Sequence, residues 1–561
     1  MKKLLSLLLV LLPLLFLLSC GDDPASNLPP SVSTSGVTNA TAGGDAVNIT
    51  FTITAEAGYA SSSASASAGT ASISSSPAAG EASGTIVVSY TPGAAAGAVT
   101  VTVIVVDSDS QSGSQNATVN VTEEPAPDRI DIFATEDGIG GAAVTWTKDN
   151  IYILRGFVFV NDGQVLTIEP GTVVKGQPGQ GAGASALIVA RGGQLIAEGT
   201  ADEPIIFTGL ADDLAGSVAD DANGLWGGLI MLGNAGNNAN STNNLLAIEG
   251  IPESEPRGTY GPDGDFPLDA DDISGSLKYV SIRHGGSLIG SDNEINGLTL
   301  GSVGAGTTIE NIEIIANLDD GVEIFGGSVN LKNMVIALCG DDGIDLDNGW
   351  VGTIQNVIAW NAGDNLESSD PSGAEMDGAT GDDEGTSGTP YATPKLANIT
   401  WVFDEGASSL TQALHIRDNF GGSIYNSILV GHDAPITIEE TSKTSSSWDL
   451  FVDGTIEIEN NIIFNVNDAS DLTGTVLVNG SPADAADFGA YIAAKNTMVD
   501  PGFGTGIARF TPSASEVTAD ALSTLSSIDA FLEDEAYIGA IDPAASSLFF
   551  EGWTLTSQVV E

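Results

Sequence analysis

Acidic residues recur at an even spacing in the middle of this chain. Glu323, Asp345 and Glu367 stand 22 residues apart, and Asp320, Asp342 and Asp364 keep the same interval. Carboxylates repeated in this way can do three things. They can form a hydrated acidic face. They can ligate a hard cation such as calcium, for which Asp320, Glu323, Asp342, Asp345, Asp364 and Glu367 are the candidate ligands. They can also work in pairs as general acid and base on a glycosidic bond. Asp319, Asp320, Asp341, Asp342 and Asp364 lie at the preceding turn, and His415 with Arg417 supplies a basic pair two residues apart. An extended segment places His415 and Arg417 on one strand face. Arg283-His284 is the other dense basic pair.

The spacing also says what positions these groups. Asn311, Asn333 and Asn356 are 22 and 23 residues apart, in step with the acids. The units are short runs of Ile and Val broken by Asp-Asp-Gly, Gly-Gly and Asn-Gly, with no apolar period of 3.6. A fixed period with one unit per repeat predicts a solenoid. About 22 residues suit three strands and three bends, one coil of a parallel β-helix, and coils stack about 4.8 Å apart. The acids would then form a column of like charges. Neighbours at that distance repel by about 1 kcal/mol in water and by more where solvent is excluded. The Asn column reads as a structural ladder, hydrogen-bonded from coil to coil at a bend.

The chain start reads as an address. Lys2 and Lys3 precede an apolar run from Leu4 to Leu18, too short to span a bilayer, and Gly21-Asp22-Asp23 follows. The ending Leu17-Leu18-Ser19-Cys20 resembles a bacterial lipobox. That resemblance implies lipidation of Cys20, a membrane partner through the lipid anchor, and location at the outer membrane. The acids after Cys20 resemble the surface-export signal of Bacteroidetes lipoproteins. The expected organisation is a signal peptide over 1–20, a linker over 21–30, a β-sandwich over 31–122, a linker over 123–130 and the solenoid over 131–561. Alternating strands at 47–53, 84–90, 99–106 and 117–121 carry the sandwich expectation. Tyr90-Thr91-Pro92 and Val105-Val106-Asp107-Ser108 resemble immunoglobulin-like and cadherin-like repeats of bacterial surface proteins. Two stretches that leave the coil period, 233–275 and 362–394, read as long surface loops.

Leu166-Thr167-Ile168-Glu169-Pro170-Gly171-Thr172-Val173-Val174 and Ala186-Leu187-Ile188-Val189-Ala190 look like opening coils of right-handed parallel β-helix proteins. Asn296-Gly297-Leu298-Thr299-Leu300-Gly301, Phe325-Gly326-Gly327 and Gly552-Trp553-Thr554 are similar to a group of bacterial surface proteins of that fold. Asn317-Leu318-Asp319 with Asp341-Asp342 resembles the acids of β-helix pectin hydrolases. That family also carries a Gly-His-Gly and an Arg-Ile-Lys. Here the matching pieces read Gly363-Asp364-Asn365 and His415-Ile416-Arg417-Asp418, a departure that weakens the hydrolase expectation. A lyase of this fold would need calcium and an Arg or Lys base.

Composition narrows the partners. With 74 acidic and 16 basic residues the net charge is −58, which excludes nucleic acid. Only Cys20 and Cys339 are cysteines, so no disulfide framework exists. The expectation is an all-β, surface-anchored, non-catalytic binding lipoprotein: an immunoglobulin-like sandwich followed by a right-handed parallel β-helix. Its partners would be a glycan or an outer-membrane protein, and calcium would brace the acid ladder. The alternative is a polysaccharide lyase or glycoside hydrolase acting on an acidic polysaccharide. The two differ in whether a basic residue lies beside the acid column in one cleft.

Overall fold

The computed structural model describes residues 27–34, 38–123, 127–239, 245–290, 293–362, 371–379, 389–404, 412–432, 434–440, 445–464, 476–478, 482–516 and 522–560. The expected signal segment and Cys20 lie outside them, as do Asp364 and Glu367. The chain divides into two units, Met1–Ala126 and Pro127–Glu561.

The first unit holds two four-stranded sheets that share one core. Strict alternation builds it. In Val47–Thr54 the side chains of Ile49, Phe51 and Ile53 point inward and the intervening Thr and Asn residues point out. Val99, Val101, Val103 and Val105 of Gly97–Asp107 do the same from the other sheet. The Ser-rich strand Tyr59–Ala66 alternates more weakly, with Ala64 and Ala66 half-buried against the core, and pairs with Gly97–Asp107.

The second unit is a stack of parallel coils. One coil runs through Thr308–Ile315 and then Val322–Phe325 before Asn330–Ala337 begins the next. Pairing is parallel and in register, Ile312 on Met334 and Val322 on Ile344. Ile309, Ile312, Ile314, Val322 and Ile324 fill the interior. Thr308–Ile315 bends at Asn311, whose φ is +56°. Asn333, Asn356, Asn398, Asn426 and Asn460 repeat that bend with φ between +49° and +61°. Asn tolerates this left-handed region because its short side chain bonds locally. Asn356 Nδ2 donates to Asn333 Oδ1 at 3.2 Å. Further on the ladder turns outward, and Asn398 and Asn426 donate to Tyr537 O and Ser523 O. These partners belong to the end of the chain, which runs back along the seventeen-stranded sheet as far as Glu313.

The structure corrects one expected loop. Within 362–394, Ser372–Asp377 forms a coil strand between Ile344–Asp347 and Gln412–Arg417. Its pattern explains this: Ala374 and Met376 enter the core while Glu375 and Asp377 face out. The described parts of 233–275 leave the coil path, which resumes at the strand Gly275–Arg283. Ile248, Ile251 and Tyr260 from this stretch pack on Ile188, Ile230 and Leu232, covering the first coils of the ten-stranded sheet. The cover continues along the sheet, where Asn238 Nδ2 donates to Gly378 O at 2.8 Å.

Candidate functional site

Four strands of the ten-stranded sheet build the site. Val322–Phe325, Ile344–Asp347, Ser372–Asp377 and Gln412–Arg417 lie side by side in parallel. Their apolar residues enter the core, so the alternate residues must face outward. One outward column reads Glu323, Asp345, Glu375 and His415. The next reads Phe325, Asp347, Asp377 and Arg417, by the same register. The residue stacked on Asp345 is therefore Glu375, where the even period had placed Glu367. The coil lengthens to 30 residues at this step, from Asp345 to Glu375, which displaces the expected register.

The acids at the preceding turn form a second ladder. Asp320 N–H donates to Asn296 Oδ1 at 3.2 Å, and Asp342 N–H donates to Asp320 Oδ1 at 2.9 Å. Ser372 N–H donates in turn to Asp342 Oδ1. Each side chain thus accepts a backbone amide of the following coil. This face is not a hydrated surface: Asp320, Glu323 and Asp342 are 7%, 6% and 3% exposed. Burial, with the surrounding acids, holds Asp320, Glu323, Asp342 and Asp345 well above the usual carboxylate range. Burial and the Asp341 charge push Asp319 up to about 7. Asp347 is pushed by burial up to about 7 although Asn348 donates to it.

Further groups border this face. Glu249, from the stretch over 233–275, is raised to about 7 by burial and by the neighbouring Glu294. Tyr260 from the same stretch packs against Phe325 with centroids 5.9 Å apart. On the far side Arg417 reaches Glu375 at 2.5 Å, Asp377 at 3.0 Å and Asp418 at 3.6 Å. His415 Nδ1 lies 3.5 Å from Glu375. Burial opposes the Arg417 charge, but Asp377, Glu375 and Asp418 outweigh it and raise its pKa. Two sets of carboxylates bring their oxygens within 4.8 Å of one another: Asp319 with Asp320 and Asp341, and Asp320 with Glu323 and Asp345.

Residues 138–509 match the model of the pectate-lyase-like beta helix domain. The chain belongs to that family. Among solved structures, a family 28 exopolygalacturonase of Yersinia enterocolitica is 11% identical, over 81% of this chain and 87% of that one, with a TM-score of 0.18. The catalytic unit of an α-1,3-glucanase of family GH87 from Streptomyces thermodiastaticus is 11% identical, over 81% of this chain and 96% of that one, also with a TM-score of 0.18. No curated protein matches the chain.

Within this pectate-lyase-like β-helix the named candidates separate. Asp319, Asp320, Glu323, Asp341, Asp342 and Asp345 gather at the turn and first column, His415 stands at the other end of that column, and Arg417 ends the second. Arg283 ends a strand of the seventeen-stranded sheet and His284 follows it, away from this face. Glu249, Glu294, Asp347, Glu375 and Asp377 were not singled out from the sequence. For Glu375 and Asp377 a signal existed in the alternation Ala374-Glu375-Met376-Asp377. For Glu249 and Glu294 there was none, since only the covering stretch brings them near.

Proposed function

We propose that the outer face of the ten-stranded sheet binds a polysaccharide and hydrolyses its glycosidic bond. The observation that supports this is a block of four acids, Asp345, Asp347, Glu375 and Asp377, facing out of adjacent strands with Arg417 against it. A basic residue beside the acid column is the feature that separates a reacting cleft from a plain acidic binding face. Residues two apart on a strand are about 6.6 Å apart and neighbouring strands about 4.8 Å, so the diagonal from Asp347 to Glu375 is about 8 Å. That lies in the separation used for inversion, with one carboxyl as acid and another directing water.

Asp347 is the proton donor in this reading. Burial raises it to about 7, so that a large share stays protonated up to neutral pH, as a general acid requires. Glu375 is the base, oriented by Arg417 and His415. A lyase fits less well, because Arg417 is held as a cation and cannot take up a proton. The excess of acid over base on the face favours a neutral glycan over a polyuronate.

The carboxylates of Asp320, Glu323 and Asp345 also fit a hard divalent cation. Their oxygens converge, and Asp345 Oδ1 is buried with no hydrogen-bond partner. Calcium held there would neutralise the column and brace the coils that carry the acids. The reaction is tested by incubating the full chain with neutral and acidic polysaccharides and assaying reducing ends and unsaturated products separately. Reducing ends without unsaturation support hydrolysis. Unsaturated ends mean lyase chemistry, and binding without either product restores the non-catalytic alternative.

A further inference from the structure

A polar cavity lies on the seventeen-stranded sheet. It has a volume of about 520 Å³ and is lined by Arg283, His284 and Trp553, with Asp202, Asp212 and Asp220 among its acids. This is within the range of small-molecule sites, about 300–1,000 Å³. The floor is built from buried groups: Arg283 is 6% exposed and His284 2%.

The hydrogen bonds leave specific atoms over. Glu313, fully buried beneath, accepts from Ser281 Oγ at 2.5 Å, from the amides of Leu555 and Thr556 at 3.0 and 2.6 Å, and from Thr556 Oγ1 at 2.8 Å. Arg283 joins this network through Nε alone, donating to Ser281 Oγ at 2.7 Å and standing 3.7 Å from Glu313. Among the described residues its Nη1 and Nη2 have no partner, so four N–H groups of a buried guanidinium border the cavity. A donor set of that kind matches a carboxylate in a two-pronged contact. His284 Nδ1 lies 2.5 Å from Ala222 O, so Nδ1 carries the hydrogen and Nε2 keeps a lone pair. Asp212 is already satisfied by Thr208 Oγ1 and the Leu214 amide. Asp202 and Asp220 are exposed at the mouth, where they repel multiply charged anions and can accept from hydroxyls.

We propose that this cavity binds a small monocarboxylate bearing hydroxyl groups, a sugar acid or hydroxy acid. Its carboxylate lies on Arg283 Nη1 and Nη2, and an adjacent hydroxyl donates to His284 Nε2. The site is separate from the acidic face and does not depend on catalysis there.

Titration calorimetry of the full chain with D-gluconate, glucose and citrate tests this. Gluconate binds, glucose gives no binding heat, and citrate binds at least about tenfold more weakly, the loss expected when charge repulsion replaces a charge-assisted bond. Arg283→Gln removes gluconate binding. That variant also disturbs the pair with Glu313, so Ala215→Trp, which narrows the mouth and leaves the pair intact, is the control for folding. It weakens gluconate at least about tenfold with an unchanged melting temperature. Absence of gluconate binding, equal binding of glucose or citrate, or full affinity in Ala215→Trp overturns the proposal.

Discussion

Raising the pH should destabilise this protein in the absence of calcium. Asp347 shows why. Burial raises it to about 7 from an ordinary value of 3.8. In the unfolded chain it ionises near the ordinary value, so between the two the native state holds the extra proton. Stability from this group is complete below about pH 4 and is lost as pH rises through about 7. A shift of about three units corresponds to at most about 4 kcal/mol, since each unit is about 1.4 kcal/mol. At about 2.1 cal/mol/K per residue, a solenoid of this length changes by about 1 kcal/mol per degree, so Asp347 alone moves the melting temperature by up to about 4 °C. Asp320, Glu323, Asp342 and Asp345 shift in the same direction for the same reason and add to the fall, though not additively. The assay is calorimetric melting from pH 5 to 8 in chelator at fixed ionic strength. The expected result is a fall across that window that Asp347→Asn reduces by a few degrees. Millimolar calcium should restore the melting temperature at pH 8 and change it little at pH 5, where the carboxyls are protonated. Glu323→Gln with Asp345→Asn should be more stable than wild type at pH 8 without calcium and respond little to it. A melting temperature that rises or stays flat with pH would refute the reasoning, and recovery with matched sodium would assign the effect to screening.

Other outcomes are testable independently. Mass spectrometry of the mature N-terminus should find acyl chains on Cys20, and Cys20→Ala should release the protein from membranes; cleavage elsewhere would rule the anchor out. Asn333→Ala should cost about 1–3 kcal/mol in urea unfolding, from a left-handed backbone that Ala resists and from the lost bond to Asn356. Asn333→Gly should recover part of it, because Gly accepts that backbone. Equal loss in both variants would mean that the hydrogen bond, not the bend, carries the effect.

Repetition made the coils legible. Asn311, Asn333 and Asn356 mark one bend in successive turns, and Glu323 stacks on Asp345 as their spacing implies. The reading slipped where a coil grew longer. Glu367 kept the period, yet Glu375 occupies the column, because Ala374 and Met376 are the residues that fit the core there. The ion pair of Arg417 with Glu375 joins residues 42 apart across one of these irregular coils, beyond what spacing conveys. Burial of the acids was hidden for a related reason. Nothing local to Asp320 or Asp342 indicates that the amide of the next coil caps each side chain. The returning end of the chain was equally opaque, since its contacts with Asn398, Asn426 and Glu313 pair segments with no shared pattern.

The most direct test of the central claim is the rate of reducing-end release from the best neutral polysaccharide, comparing wild type with Asp347→Asn and Glu375→Gln. Loss of a general acid or base costs about 10²–10⁴-fold, so each variant should lose at least about a hundredfold in kcat while still melting cooperatively. The wild-type rate should fall as pH rises past about 7, when Asp347 loses its proton. Wild-type activity that survives both substitutions, or no cleavage of any glycan by the calcium-loaded chain, would contradict the assignment of this face as a hydrolytic site.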